Sequence, residues 1–381
     1  MAATERGRWT SRLRTALRWL KGLAGGVAAT QAATAATLAE DRSELMYHVY
    51  DGGGIQATGP ALLVRKNIAE RVSLSGSYYV DAVSNASIDV VTTASPYKET
   101  RKAYDLAAAW LVRDTIVSAG IYASREPDYD VDTLNADVAH EVFGGMTTVS
   151  LGFTRSSDDV RKTGEPNFLE HARHWQYRAG LTQVLSPRWL ASLNAEAISD
   201  EGFLGSPYRV ARVFGAAVPE RMPSTRSSRA IRAGTLYDFG EGAGRTALRA
   251  DYRYFWDNWD IQAHTAEAGA SRYLFTQNSG RWLFDASLRF YSQDKALFYS
   301  DNAQTETLYV TRNRQFSTFK STSLSAKATW TPGGAVGKYD MKLTGAYERK
   351  EFRYEDFTDI RTGEPYAHGA NVLQLLLTAR F

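Results

Sequence analysis

The chain of 381 residues contains no cysteine, and that absence removes several classes of protein at once. Disulfide scaffolds, thiolate-held iron–sulfur clusters and haem attached through C-x-x-C-H are all excluded. Long apolar runs are missing as well, and mean hydropathy is -0.37, so no ordinary membrane-crossing helix fits the sequence. Motifs of soluble catalysis are also absent: there is no G-x-S-x-G elbow, no H-E-x-x-H pair and no Walker phosphate loop. No catalytic residue, metal ligand set or cofactor can therefore be named. A hydrolase assembled from distant strand ends is only a third-ranked reading. Nothing behaves like an interdomain linker, which favours one large domain.

None of these absences touches a β-barrel, whose strands need only about 9 to 11 residues with half of them facing a wet lumen. The aromatic content is suited to one: 21 Tyr, 16 Phe and 9 Trp make 12% of the chain, and such rings favour interfaces that are dry at one end and wet at the other. At the C-terminus, Phe381, Ala379, Leu377, Leu375 and Leu373 alternate with Arg380, Thr378 and Gln374. A strand of this kind ending on an aromatic ring resembles the closing strand of outer-membrane barrels, where it serves as an assembly signal. Trp282, Phe284, Ala286, Leu288 and Phe290 repeat the pattern against Asp285, Ser287, Arg289 and Tyr291.

The first 39 residues read as an export signal. Arg6, Arg8, Arg12, Arg14, Arg18 and Lys21 precede a small, mildly apolar run from Gly22 to Ala39, with cleavage expected after Ala39 and Ala35 as the alternative. Removing residues 1–39 leaves 39 basic against 41 acidic side chains, so the formal charge falls from +3 to -2. The barrel is assigned to residues 40–381.

Tight turns near 67–70, 113–114, 143–145, 186–188, 240–244, 278–280 and 331–337 carry Gly, Pro, Asn and Asp. Between them fall mostly longer polar connections near 52–56, 82–101, 127–131, 157–172, 200–228, 258–260, 293–315 and 352–368. Short turns on one side and loops on the other are the outer-membrane arrangement. The sequence therefore predicts an all-β chain: a single transmembrane antiparallel barrel of sixteen strands, fourteen being the alternative, with both termini periplasmic.

Candidate sites lie in the loops. Arg209, Arg212, Arg221, Arg226, Arg229 and Arg232 stand against the single acid Glu220 between 207 and 232. They could line a lumen and draw anions, bind lipopolysaccharide phosphates, or pair with wall acids and pin the loop. The 82–101 segment is rich in small and β-branched residues, which suggests a plug folded into the barrel, with Asp81, Ser84, Ser87 and Asp89 as its polar candidates. Asp128, Asp130 and Asp132 mimic the start of a calcium loop, but Thr133 and Ala139 occupy the positions that need Gly and Glu, so a solvated acidic loop is the better reading. Glu170, His171 and His174 suit interface anchoring better than a metal or acid–base site.

Several blocks are more specific than barrel periodicity requires: GPALLVRK (59–66), YYVDAVSNASIDVVTTASPYKETR (78–101), EVFGGMTTVSLGFTR (141–155), HWQYR (174–178), GFLGSPYRVARVFG (202–215) and ERMPSTRSSRA (220–230). Together they resemble a domain-of-unknown-function family of bacterial outer-membrane barrels. The resemblance implies a Gram-negative outer-membrane location. It brings no catalytic residue, and it implies neighbours such as a small lipoprotein, a thioredoxin-like protein and a flavin-attaching enzyme.

Two functions follow as expectations. One is a porin-like channel for small solutes with the arginine loop in or near the lumen. The other is a barrel scaffold for a lipoprotein or periplasmic partner in an envelope redox or modification system. The expected partners are the lipid bilayer, lipopolysaccharide and the barrel-assembly machinery; a nucleic acid is not among them.

Overall fold

The computed structural model describes residues 37–85, 97–240, 244–276, 280–333 and 339–381. The expected export signal, apart from its last three residues, therefore lies outside the described residues, as do Ser87 and Asp89. Sixteen strands form one closed antiparallel barrel: β1 (Arg42–Gly52), β2 (Ile55–Ile68), β3 (Val72–Asn85), β4 (Tyr97–Val112), β5 (Thr115–Arg125), β6 (Tyr129–Val142), β7 (Thr147–Arg161), β8 (Leu169–Ser186), β9 (Trp189–Gly202), β12 (Thr225–Asp238), β13 (Thr246–Asp257), β14 (Gln262–Thr276), β15 (Gly280–Gln293), β16 (Phe319–Thr331), β17 (Asp340–Thr358) and β18 (Pro365–Arg380). A short hairpin, β10 (Val210–Val213) with β11 (Ala216–Pro219), stands apart in the connection after β9.

The barrel closes where the first strand meets the last, from Arg42 opposite Arg380 to Gly52 opposite Ala370. The alternation expected at the C-terminus is present: Leu373, Leu375, Leu377 and Phe381 are 40–56% exposed on the outer face. Thr378 points inward and is buried. The same parity places Tyr104, Leu106 and Trp110 outward on β4, and Phe284, Leu288 and Phe290 outward on β15. Aromatic rings mark both edges of this apolar band. Trp110, Trp189, Tyr237, Phe239, Tyr339 and Phe381 lie toward the turn side, and Tyr104, Tyr177, Tyr252, Phe290 and Tyr347 toward the loop side.

Short connections follow the predicted side. Ala69 and Glu70 take φ of 50° and 56°, Arg113 takes 55°, and Phe143 with Gly144 and Gly145 takes 54°, 67° and 84°, which are the left-handed values that tight hairpins require. On the opposite side the eight connections fall where the sequence places them, but several are shorter than it suggests. The 52–56 connection is a two-residue Gly53–Gly54 turn, and the long described connections reduce to 162–168, 203–224 and 294–318.

The difference has a physical cause. Above the apolar band the strands continue, but their faces exchange character. On β17, Arg349, Glu351, Arg353 and Glu355 point outward into water, whereas Phe352 and Tyr354 point inward and are 5% and 7% exposed. Ile55, Ala57, Val83, Val131 and Val160 do the same on β2, β3, β6 and β7. The ends of the predicted 82–101 loop, residues 82–85 and 97–101, are thus paired strand.

Closure and tight pairing predict heat-modifiable mobility: the folded protein in detergent runs faster on a gel than the boiled one, and identical mobilities contradict the fold. Removing Phe381, whose ring packs edge-on to Tyr339 at 6.2 Å with Lys66 Nζ 4.9 Å above it, is expected to reduce the folded fraction recovered from membranes.

Candidate functional site: the lumen wall and its inserted segment

Charged side chains on the lumen face are laid along the wall in pairs that skip a strand. Arg178 on β8 reaches Asp137 on β6 at 2.7 Å, passing over Gly152 of β7, its register neighbour. A Cβ at Gly152 would overlap both partners. Arg249 on β13 likewise crosses Gly269 of β14 to hold Asp285 on β15 at 2.7 and 3.1 Å, and a Cβ at Gly269 would sit 2.5 Å from the Arg249 Cζ. Arg253 of β13 reaches Glu196 of β9 across β12 at 3.2 Å, whereas Arg232 of β12 pairs with Asp251 of the adjacent β13 at 2.8 Å. Such pairing rigidifies the wall and presents both signs of charge to the lumen.

Nearer the extracellular end, segment 294–318 folds onto the inner face. Phe316 packs against Trp259 and Phe298, with centroids 5.5 and 6.2 Å apart. This group joins the inward rings of Phe319, Phe352, Tyr354 and Tyr366 in one cluster, with Tyr50, Phe255 and Tyr291 packed against it. The segment therefore lies against inward side chains of β13, β15 to β18 and β1, and against the β13–β14 connection. Polar clamps hold it: Gln293 Nε2 donates to the carbonyls of Gln315 and Ser317, both at 2.8 Å, and Tyr299 Oη donates to the Asp356 carbonyl at 2.9 Å. Arg312 pairs with Asp301 at 2.7 Å, and its guanidinium sits 4.4 Å from the Phe357 ring centroid. Arg314, 4% exposed, lies over the Tyr366 ring.

The six arginines of the 207–232 cluster do not form one site. Arg226 and Arg232 face inward from β12 and pair with Asp257 (2.6 Å) and Asp251 of the adjacent β13, so they brace the wall and pin no loop. Arg209, Arg212 and Arg221 belong to the β10–β11 hairpin region, which is stitched to the inserted segment. Ala303 N donates to the Arg212 carbonyl at 2.9 Å, and Arg221 exchanges backbone bonds with Val310 and donates to the Thr307 carbonyl at 2.8 Å. Arg229 is a correction: odd positions of β12 face outward, so it lies on the outer surface and lines no lumen. Adjacency in sequence concealed this, because strand neighbours three apart face opposite sides.

The plug candidates separate as well. Asp81 is fully buried on the inner face, accepting from Arg101 (2.8 Å) and bonded to His48 Nε2 (2.6 Å), with the His48 and Tyr79 rings stacked at 4.9 Å. It is a strand residue that ties β1, β3 and β4 together. Ser84 has the parity of the outer face, so it is not part of a plug. Asp130 and Asp132 pair outward with Arg161 (2.6 Å) and Arg125 (2.5 Å), and among the described residues no three metal-ligating side chains converge.

His174 departs from the anchoring expectation. It points inward, between Asp200 on Nδ1 (2.7 Å) and Asp158 on Nε2 (3.2 Å), while His171 faces outward onto Asp159 at 2.9 Å. The charged outward neighbour Arg173 places this level above the apolar band. Burial opposes protonation of His174, but the hydrogen bonds and negative charge of Asp158 and Asp200 outweigh it and carry its pKa up to about 9.

A model of the family described as "Protein of unknown function (DUF3570)" matches residues 23–338. The chain belongs to the DUF3570 family. No protein of curated function matches this DUF3570 chain in sequence. Its fold is similar to a "Bacterial polysaccharide outer membrane secretin", at 8% identity and TM-score 0.52, covering 90% of this chain and 100% of the other. Weaker similarities are to "CymD monoaromatic hydrocarbon channel" (12% identity, TM-score 0.43, 90% and 89% covered) and to the outer membrane protein opdK from Pseudomonas aeruginosa (10%, 0.41, 89% and 99%). At 8% identity the first of these likenesses speaks for the barrel fold alone.

Two outcomes follow. Gly269→Val displaces Arg249 from Asp285 and is expected to cost about 1–3 kcal/mol, measured as a lower urea midpoint in detergent; an unchanged midpoint contradicts the strand-skipping pair. A histidine with a raised folded-state pKa stabilises fully below its unfolded value near 6.5 and loses that contribution as pH rises. The hydrogen-exchange protection of residues 156–176, taken as the observed rate against the intrinsic rate at the same pH, is therefore expected to fall between pH 6.5 and about 9 in the native protein, and to stay level over that range in His174→Gln.

Proposed function

We propose that this outer-membrane barrel is a channel for small hydrophilic solutes, narrowed at its extracellular end by segment 294–318 and the β10–β11 hairpin. The observation that carries the reading is the packing of that segment into one cluster with inward side chains of six barrel strands, β13, β15 to β18 and β1. A sixteen-strand barrel is wide enough for water, so a segment held against its inner wall restricts passage. Wall charges of both signs, largely paired, suit neutral or weakly charged solutes. Arg212, half-buried on the hairpin and without a carboxylate partner among the described residues, is the group best placed to bias the entrance toward anions.

A scaffold for a protein partner is the second reading. It is favoured by apolar side chains left uncovered at the loop end: Leu297 and Leu308, each 73% exposed, and Phe214 at 65%.

Planar-bilayer recording separates the two. The channel reading expects stepwise conductance from the purified protein, a larger unit conductance when residues 297–313 are replaced by a short Gly-Ser linker, and a weaker anion preference in Arg212→Ala. Absence of steps at every salt and voltage, in native and linker forms alike, overturns it.

A further inference from the structure

The outer surface carries an apolar groove of about 690 Å³, within the range of about 300–1,000 Å³ usual for ligand pockets. Its floor is Ala179, Ala195 and Ala197, and it is walled by larger outward rings, among them Tyr177 and Trp256. The small residues lie on adjacent strands in register, Ala179 beside Ala195 and Tyr177 beside Ala197, so the depression is continuous across β8 and β9.

Arg229 stands at the extracellular end of this groove. Its cross-strand neighbours are Ala197 and Trp256, and its outward neighbours on β12 are Ser227 and Ile231. Among the described residues no carboxylate faces it. An exposed guanidinium at the edge of hydrocarbon, with no acid beside it, takes its counter-charge from outside the protein. A second groove of about 460 Å³ over β4 to β7 repeats the combination with Arg155, whose cross-strand neighbours are Leu134 and Trp175; the one acid lining it, Asp132, is held by Arg125 at 2.5 Å.

We propose that the Arg229 groove binds a phosphorylated, multiply acylated glycolipid of the outer leaflet. One acyl chain lies over Ala179, Ala195 and Ala197, and a phosphate is held by the guanidinium fork of Arg229. The groove supplies hydrophobic contact, the arginine supplies charge complementarity, and Trp256 flanks the headgroup level, where amphipathic rings are at home. The proposal rests on the orientation of the barrel, with its short turns periplasmic, and not on the channel reading.

Native mass spectrometry of the full chain in mild detergent tests it. The probes are lipid A with two phosphates, the same lipid dephosphorylated, and phosphatidylethanolamine. Binding of the diphosphorylated form is expected to exceed the other two by about tenfold, equivalent to about 1.4 kcal/mol. Arg229→Glu should remove most of that preference. Arg272→Glu, on the outer face toward the periplasmic end, should leave it intact. Ala197→Trp, which fills the groove without touching the charge, should weaken binding of both lipid A forms. Heat-modifiable mobility reports folding of each variant. Equal binding of phosphorylated and dephosphorylated lipid, no effect of Arg229→Glu, or a second copy of the chain that occupies the groove and is expelled by Ala197→Trp would each overturn the proposal.

Discussion

Everything else in this molecule depends on the backbone pairing of β1 with β18. In hydrocarbon an unpaired N–H or C=O has no water to turn to, and each costs several kcal/mol, so an open sheet of this length cannot stand in a membrane. Eleven residue pairs, from Arg42 with Arg380 to Gly52 with Ala370, remove the edge and make the remaining pairings mutually supporting. Phe381, which begins as a terminal aromatic, is best understood as the end of that seam.

Closure creates an interior, and the chain uses it differently at two levels. Within the apolar band the interior is polar, and its charges run along the wall, with Gly152 and Gly269 leaving room for Arg178 and Arg249 to reach across a strand. Above the band the strands stand in water on their outer side, and along β15 to β18 the interior becomes apolar, with Phe352, Tyr354 and Phe357 as its core. The aromatic inner rim gives segment 294–318 a surface on which to fold. The narrowing at the mouth therefore resembles the core of a soluble protein more than a flexible lid.

The band itself was legible in the sequence, because residues such as 281–290 and 373–381 alternate between lipid and lumen with a strict period of two. The strand extensions were not, since residues 349–357 invert that parity: polar residues outward and rings inward read as loop to anyone seeking a membrane strand. The arginine cluster misled for a related reason. Parity alone would have sent Arg226 and Arg232 inward and Arg229 outward, and the same rule turns His174 away from His171. The role of Gly269 depends on the register among β13, β14 and β15, which no local pattern carries. Of the inserted segment, Phe298, Tyr299, Val310 and Phe316 were visible signals, an apolar content too high for a solvated loop.

The most direct test of a closed, water-lined barrel exploits the absence of native cysteine. Single cysteines placed in turn at 284 to 291 of β15, in protein reconstituted into liposomes, are treated with a small water-soluble thiol reagent. The account predicts labelling at the lumen positions 285, 287 and 289 and protection at 284, 286 and 288. Uniform labelling or uniform protection along the strand would contradict it.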